Sequence, residues 1–125
     1  MGVAAADYND DGLPDFTVTN MTDDHHAVFR SSANDPSGPT FRAARADMGL
    51  PNLGVGDTGW GAAWIDVDLD GDVDLVHANG TLPVTDLQGD REQLRVFEND
   101  TNGETGAFSE VTDVLGLEQS GRHLG

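Results

Sequence analysis

The chain contains no cysteine and no lysine, and all six of its basic residues are arginine. Without cysteine there are no disulfide bonds, so if the fold needs cross-links they must come from ions or partners. No apolar run approaches the length of a membrane span, and no signal-peptide pattern opens the sequence. The 125 residues therefore suit one small domain with a modest core and no membrane insertion.

Positive charge is also scarce. The chain has 23 acidic residues against 6 arginines, and its formal net charge is −17 at pH 7. This charge argues against nucleic acid as a partner and disfavours anionic membrane surfaces, because like charges repel. Two explanations of the acidic, lysine-free composition stay open, namely a high-salt habitat, where screening relieves self-repulsion, and codon bias in a GC-rich genome.

Many of the acidic residues lie in one nine-residue pattern, at 66–74. Aspartates occupy positions 1, 3, 5 and 9 of this segment, and Gly71 occupies position 6. Ca²⁺ takes about six to eight oxygen ligands, and carboxylates at odd positions of a tight loop can converge on one ion. Position 7 would add a backbone carbonyl, and glycine at position 6 permits a sharp turn with positive φ. The alternative is a solvated acidic turn, but the complete spacing favours a metal site.

The same pattern occurs a second time, at 7–15, with oxygen-bearing side chains at the same four positions and glycine again at position 6. The two loops are 59 residues apart, and their flanks follow the same offset. Segment 2–6 precedes the first loop as segment 61–65 precedes the second. Self-similarity at this spacing indicates a repeat architecture.

Short apolar or β-branched segments predict about four strands in each unit. In the first unit they lie at 2–6, 15–20, 27–31 and from Phe41 onward; in the second, at 61–65, 74–78, 94–99 and from Phe108 onward. The predicted fold is all-β, with tandem four-stranded antiparallel blades that form a two-blade portion of a β-propeller. The expected units are a first blade at 1–50 with a truncated start, a second blade at 51–117, and the truncated start of a third repeat at 118–125.

The aspartate loops and their flanks resemble the FG-GAP/VCBS repeat family, the calcium-binding blades related to integrin α-chain propellers. The resemblance depends on residues 61–75 (GAAWIDVDLDGDVDL) and on the shorter copy at 2–16. The segments that follow each phenylalanine resemble those of bacterial FG-GAP-like repeats, which often accompany an ASPIC/UnbV-type region. The resemblance implies one Ca²⁺ in the loop between the first two strands of each blade. It also implies a non-enzymatic role in adhesion or ligand binding, outside the cell or at its surface.

Carried over residue by residue, the resemblance implies two Ca²⁺ sites. The ligands of the first would be Asp7, Asn9, Asp11, the carbonyl of Leu13, and Asp15; those of the second would be Asp66, Asp68, Asp70, the carbonyl of Asp72, and Asp74. Asn9 stands where the second loop has a carboxylate, so we expect weaker binding in the first loop, because affinity follows ligand charge. The expected partners are a protein or glycan ligand, and further repeats of the same propeller or additional copies of the chain.

Other classes of function share parts of this pattern. An EF-hand or dockerin-like module shares the first nine loop positions but needs a glutamate at position 12, where Val18 and His77 stand. Glycosidase-type catalysis needs a carboxyl group with a raised pKa in a cleft, whereas a bound cation would keep these groups ionised. An accessory carbohydrate-binding or substrate-binding part of a larger secreted enzyme stays open as the alternative.

The histidines and tryptophans have predicted structural roles. His25 and His26 lie in a polar segment and are predicted to be a surface pair, and His77 is predicted to be structural. Trp60 and Trp64 are predicted to be core anchors between the blades. An exposed Trp60 would favour the carbohydrate-binding alternative.

Overall fold

In the computed structural model, residues 1–33, 35–80, 82, 93–100 and 108–117 are described. These residues form eight strands and no helix, which confirms the predicted all-β class. It follows that nothing in the described ranges is a helix with the length and apolar character needed to cross a membrane. The predicted third unit at 118–125 lies outside the described residues.

The strands form two four-stranded antiparallel sheets, and in each sheet the strands follow one another in chain order. The first sheet contains β1 (Val3–Ala6), β2 (Asp15–Val18), β3 (Ala27–Ser32) and β4 (Thr40–Ala43). The second sheet contains β5 (Thr58–Ile65), β6 (Asp74–Gly80), β7 (Gln93–Asn99) and β8 (Phe108–Glu110). Four strands for each unit were predicted, and this is confirmed.

Strand β5 begins at Thr58, three residues before the predicted start at 61. The backbone amide of Gly59 donates a hydrogen bond of 2.8 Å to the carbonyl of Asn20, just after β2. This bond ties the start of β5 to the first sheet. A glycine is required at this point, because a Cβ on Gly59 would lie 2.3 Å from the Cβ of Thr19.

One hydrophobic core fills the space between the two sheets. The first sheet and its connections supply Tyr8, Val28, Ala44, Met48 and Leu53, and the second sheet supplies Leu75, Phe97 and Phe108. Trp64 packs against this core, and its ring stacks on that of Tyr8 with centroids 5.6 Å apart and planes 10° apart. The prediction that Trp64 anchors the two units to each other is confirmed.

The same prediction was wrong for Trp60, whose residue surface is 48% exposed. The pairing of β5 with β6 shifts register between Gly59 and Gly61, so Trp60 lies at a bulge. Its indole rests against Gly80, where an added Cβ would meet Nε1 at 2.5 Å. A bulge redirects the side chain that it carries, and here it turns the ring out of the core.

The predicted surface pair of histidines is also wrong in one member. His25 is exposed, but His26 is fully buried and its ring meets that of His77 edge to face, with centroids 5.0 Å apart. The amide of His26 donates a hydrogen bond of 3.0 Å to the carbonyl of Leu53, which holds the segment inward. The ring occupies space that is open because Gly54 and Gly59 have no side chain.

Candidate metal centre

The loop at 66–74 connects β5 to β6 and brings three carboxylates together. One oxygen from each of Asp66, Asp68 and Asp74 lies within 4.8 Å of the other two. Ca²⁺ binds oxygen at about 2.3–2.6 Å, so ligands on opposite sides of one ion are about 5 Å apart. These three oxygens can therefore contact a single ion.

Backbone amides of the loop hold its carboxylates in place. Gly71 donates a hydrogen bond of 3.2 Å to Asp66 Oδ2, and Asp70 donates one of 3.2 Å to Asp68 Oδ1. The backbone makes the required sharp turn with positive φ at Leu69 (65°) and Gly71 (106°). The sequence predicted a sharp turn with positive φ at the glycine of position 6, and this prediction is confirmed. The left-handed conformation of Leu69 is an additional finding.

Asp74 ends the loop at the start of β6 and is buried. Its Oδ2 accepts a hydrogen bond of 2.8 Å from the amide of Val67, and its Oδ1 accepts one of 2.8 Å from the amide of Asn99. The side-chain amide of Asn99 also donates to the carbonyl of Val73 at 3.1 Å. The carboxylate at position 9 is therefore fixed by the amide of Val67, near the start of its own loop, and by the amide of Asn99 on β7.

A direct test of whether a cation suits this loop comes from Asp66. Its Oδ1 is buried and has no hydrogen-bond partner among the described residues. A buried polar atom without a partner is costly, so such atoms are almost always satisfied. A cation among Asp66, Asp68 and Asp74 would satisfy this oxygen, so the residues present fit a bound metal ion.

Negative charge is crowded around the loop. Desolvation raises the pKa of Asp68, and the neighbouring Asp70 and Asp74 add to the shift. Desolvation also raises the pKa of Glu98 on β7, with contributions from Asp68 and Asp74. Part of each shift comes from repulsion between neighbouring carboxylates, which a bound cation would relieve. Glu98 was missed by the sequence analysis, although its third-strand position, 68 residues after Arg30, was a usable signal.

The loop at 7–15 connects β1 to β2 and repeats the same internal hydrogen bonds. Gly12 donates to Asp7 Oδ2 at 2.7 Å, Asp11 donates to Asn9 Oδ1 at 3.3 Å, and Leu13 donates to Asp11 Oδ1 at 3.1 Å. Loop positions 4 and 6 again have positive φ, at 54° and 83°. The two loops thus have the same turn geometry.

The two loops differ in their counter-charges. In the first loop, Asp11 Oδ2 accepts a hydrogen bond of 3.1 Å from the side-chain amide of Asn9. The same oxygen forms an ion pair of 3.2 Å with Arg30. Arg30 and Glu98 hold corresponding positions on β3 and β7, so one loop faces a cation and the other an anion. In the described part of the chain, only the second loop has three acidic or histidine side chains at the ligand spacing.

Asp15 is the counterpart of Asp74 and is fully buried. Its Oδ1 accepts a hydrogen bond of 2.8 Å from the amide of Ser31, as Asp74 does from Asn99, and the backbone of Tyr8 also donates to this carboxylate, as that of Val67 does to Asp74. Burial raises the pKa of Asp15, and Asp11 and Asp7 add to the shift. The carboxylate at position 9 is therefore held by backbone amides in both loops.

Among the ten predicted ligands, the structure brings Asp66, Asp68 and Asp74 together. Asp70 lies in the same loop but outside this group, and its Oδ1 accepts a hydrogen bond of 2.9 Å from the amide of Asp72. The carbonyl ligands, Leu13 and Asp72, stay predictions.

Comparisons of the chain with protein-family models, curated proteins and solved structures find no match. The family resemblance therefore depends on the loops and their flanks alone.

Proposed function

We propose that the chain is a non-enzymatic calcium-binding module of two β-propeller blades, of the FG-GAP/VCBS type, which serves adhesion or ligand binding outside the cell. Two observations carry the proposal: Asp66, Asp68 and Asp74 converge, and Oδ1 of Asp66 is buried with no hydrogen-bond partner among the described residues. A hard dication with oxygen ligands suits this set, since carboxylates are its preferred donors.

The role proposed for the ion is structural. Bound Ca²⁺ would supply positive charge that offsets the repulsion among the loop carboxylates. The protein supplies the geometry, because Asp74 is fixed by Val67 and Asn99 before any ion binds. Binding confined to the folded state stabilises that state by mass action.

The arrangement of the sheets supports the propeller part of the proposal. Each sheet has four antiparallel strands in chain order, and the two sheets pack face to face over one core. Four-stranded sheets of this kind, stacked through their faces, are the building unit of propellers. The two aspartate loops follow the first strand of each sheet, at corresponding places.

Thermal unfolding tests the structural role of calcium. With Ca²⁺ at about 100 times its Kd, stability should rise by roughly 2.7 kcal/mol relative to EDTA, which corresponds to a shift in Tm on the order of 10 °C. Asp66→Asn should abolish most of this shift, because it removes a charge from the site. Asp10→Asn is the matched control, since Asp10 is exposed at loop position 4 and asparagine tolerates its φ of 54°. Equal Tm values in EDTA and calcium would contradict the proposal.

The exposed Trp60 supports a second candidate function, carbohydrate binding. An indole that is 48% exposed and packs against Gly80 offers a surface on which a sugar ring can stack. A glycan array tests this, with Trp60→Ala expected to lose binding and Trp60→Phe expected to retain part of it. An array without any bound glycan would eliminate this candidate and leave the calcium proposal unaffected.

A further inference from the structure

The first sheet has an apolar face that points away from the second sheet. Phe16 pairs with Phe29 across β2 and β3, and the rings of Phe16 and Phe41 are 5.5 Å apart in an edge contact. Val3 extends the same face, since it pairs with Val18, two residues from Phe16. Phe41 is 52% exposed. We call the surface of Val3, Phe16, Phe29 and Phe41 the leading face.

The second sheet shows what such a face packs against. The counterparts of Phe16, Phe29 and Phe41 are Leu75, Phe97 and Phe108, at offsets of 59, 68 and 67 residues. All three counterparts are buried in the core against Tyr8, Val28 and Met48 of the first unit. These positions are therefore buried in the second sheet, whereas in the first sheet Phe29 and Phe41 are exposed and Phe16 is half-buried.

The second sheet also has apolar side chains that are exposed on its side away from the first sheet, within the part of the chain that the structure describes. Side chains alternate along a strand, and Trp64 points toward the first sheet, so Ile65 points away from it, and Ile65 is 49% exposed. Leu115 and Leu117 follow β8 and are exposed as well. We call the surface of Ile65, Leu115 and Leu117 the trailing face.

The trailing face matches the surface that receives the second sheet inside the chain. Leu115 is the counterpart of Met48, which lies in the core between the sheets. Corresponding backbone hydrogen bonds place both residues. The amide of Met48 donates to the carbonyl of Ala44 at 3.0 Å, and the amide of Leu115 donates to the carbonyl of Val111 at 3.1 Å. The internal contact between the sheets is thus a template for a contact between a trailing face and a leading face.

We propose that a second copy of this chain covers these faces, with the leading face of one copy docked on the trailing face of the next. Because the two surfaces differ, the contact is head to tail, and it closes into a ring where the angle permits. Propellers have about four to eight blades, so a ring would need roughly two to four copies. This inference rests on the proposed function, in which each sheet is a blade.

Sedimentation velocity of the whole chain in calcium, over a range of protein concentrations, tests the proposal. The expected result is a concentration-dependent mass that is a multiple of 13.2 kDa. Salt should strengthen the association, because it screens the repulsion between copies that carry a formal charge of −17 each. A chain that stays monomeric at every concentration and salt level would overturn the proposal.

Two face variants test the head-to-tail geometry. Phe41→Asp should block the leading face and Leu115→Asp the trailing face, so each variant alone should be monomeric. When mixed, they retain one intact pair of faces and should form a dimer of one copy each. Val114→Asp is the matched control, because Val114 is 84% exposed in the same turn and should leave association unchanged. Self-association of either variant alone, or no pairing in the mixture, would overturn the proposal.

The outcome can be separated from that of the calcium proposal. Each variant is first checked for the rise in Tm that calcium should cause, which reports an intact loop at 66–74 and a folded chain. Variants that keep this shift but do not associate as expected count against the docking alone. Loss of the calcium shift in the unmodified chain counts against the proposed function.

Discussion

The side-chain amide of Asn99 donates a hydrogen bond of 2.9 Å to the backbone carbonyl of Tyr8, 91 residues away in the sequence. Tyr8 lies at position 2 of the first aspartate loop. The backbone amide of Asn99 donates to Asp74 at position 9 of the second loop, at 2.8 Å. One buried residue of β7 therefore connects the two candidate calcium loops.

Replacement of Asn99 by alanine should destabilise the protein by about 1–3 kcal/mol, because it leaves the carbonyls of Tyr8 and Val73 without this buried donor. Urea unfolding measures the loss. Calcium affinity should fall as well, since the connection between the loops is removed. Asn52→Ala is the control, because Asn52 is exposed in a turn. An Asn99→Ala variant as stable as this control would show that the connection contributes nothing.

The opposite charges beside the two loops predict opposite effects on calcium binding. Arg30→Gln should strengthen binding in the first loop, because it removes the cation that pairs with Asp11. Glu98→Gln should weaken binding in the second loop, because it removes an anion near Asp68 and Asp74. Each change should be a few-fold to about tenfold in Kd, as expected for one charge near a divalent ion.

Isothermal titration calorimetry measures both affinities. The second loop should bind more tightly in the unmodified chain, and Asp66→Asn should remove the tighter step and so assign it. Asp70→Asn should weaken that step more than Asp10→Asn affects the other. Equal affinities, or tighter binding in the first loop, would contradict this prediction.

The buried histidines predict a loss of stability in acid. Burial, together with the neighbouring His26, lowers the pKa of His77 from 6.5 to about 3. The unfolded chain therefore binds a proton that the folded chain does not, between pH 6.5 and pH 3. The stabilisation is complete above pH 6.5 and is lost as the pH falls, by about 1.4 kcal/mol per pH unit. Burial lowers the pKa of His26 too, which adds to the same slope.

Three carboxylates act in the opposite direction, because the pKa values of Asp15, Asp68 and Glu98 are raised in the folded state. They add stability as the pH falls through their folded pKa values, so the histidine contribution must be isolated by substitution. In EDTA, the slope of unfolding free energy against pH should be shallower in His77→Gln than in the unmodified chain. His25→Gln, at an exposed position, should keep the original slope. Identical slopes for all three proteins would refute the assignment to His77.

Two glycines of β5 should differ sharply in their tolerance of a methyl group. In Gly59→Ala, the new Cβ would lie 2.3 Å from the Cβ of Thr19 and 2.8 Å from the ring of His26, so the sheets must separate. We expect a loss of about 1–3 kcal/mol or more. In Gly61→Ala, the nearest atom is the Cβ of Ala78 at 3.6 Å, an ordinary contact. That variant should be neutral or slightly more stable, because alanine restricts the unfolded chain. Chemical unfolding of both variants measures the difference, and equal losses would contradict this account of how β5 approaches the first sheet.

Much of the fold could be predicted because its signals are local. Alternating and β-branched segments predicted the four strands of each sheet, and turn-forming glycines separated them. The boundaries shifted where a contact between the sheets intervened, as at Thr58, where the bond from Gly59 to Asn20 extends β5. No pattern within β5 encodes that bond.

The errors share one cause. His26 lies in a polar segment, which predicts exposure, yet it is buried because Gly54 and Gly59 leave room for its ring. Trp60 was predicted to be buried, yet a bulge turns it outward. In both cases burial depends on residues that are distant in sequence or on a local shift in strand pairing. Neither can be predicted from the composition of the segment itself.

The sequence by itself determined the turn geometry of the two aspartate loops and the four-stranded pattern of each unit. These features arise within about nine residues or from side-chain alternation along one strand, so local spacing specifies them. Only the tertiary structure decided that Asn99 connects the two loops and that His26 contacts His77. It also decided that Arg30 pairs with Asp11 of the first loop, while Glu98 lies near the carboxylates of the second. Those contacts connect residues from 19 to 91 positions apart, and their energies exist only after the two sheets have packed.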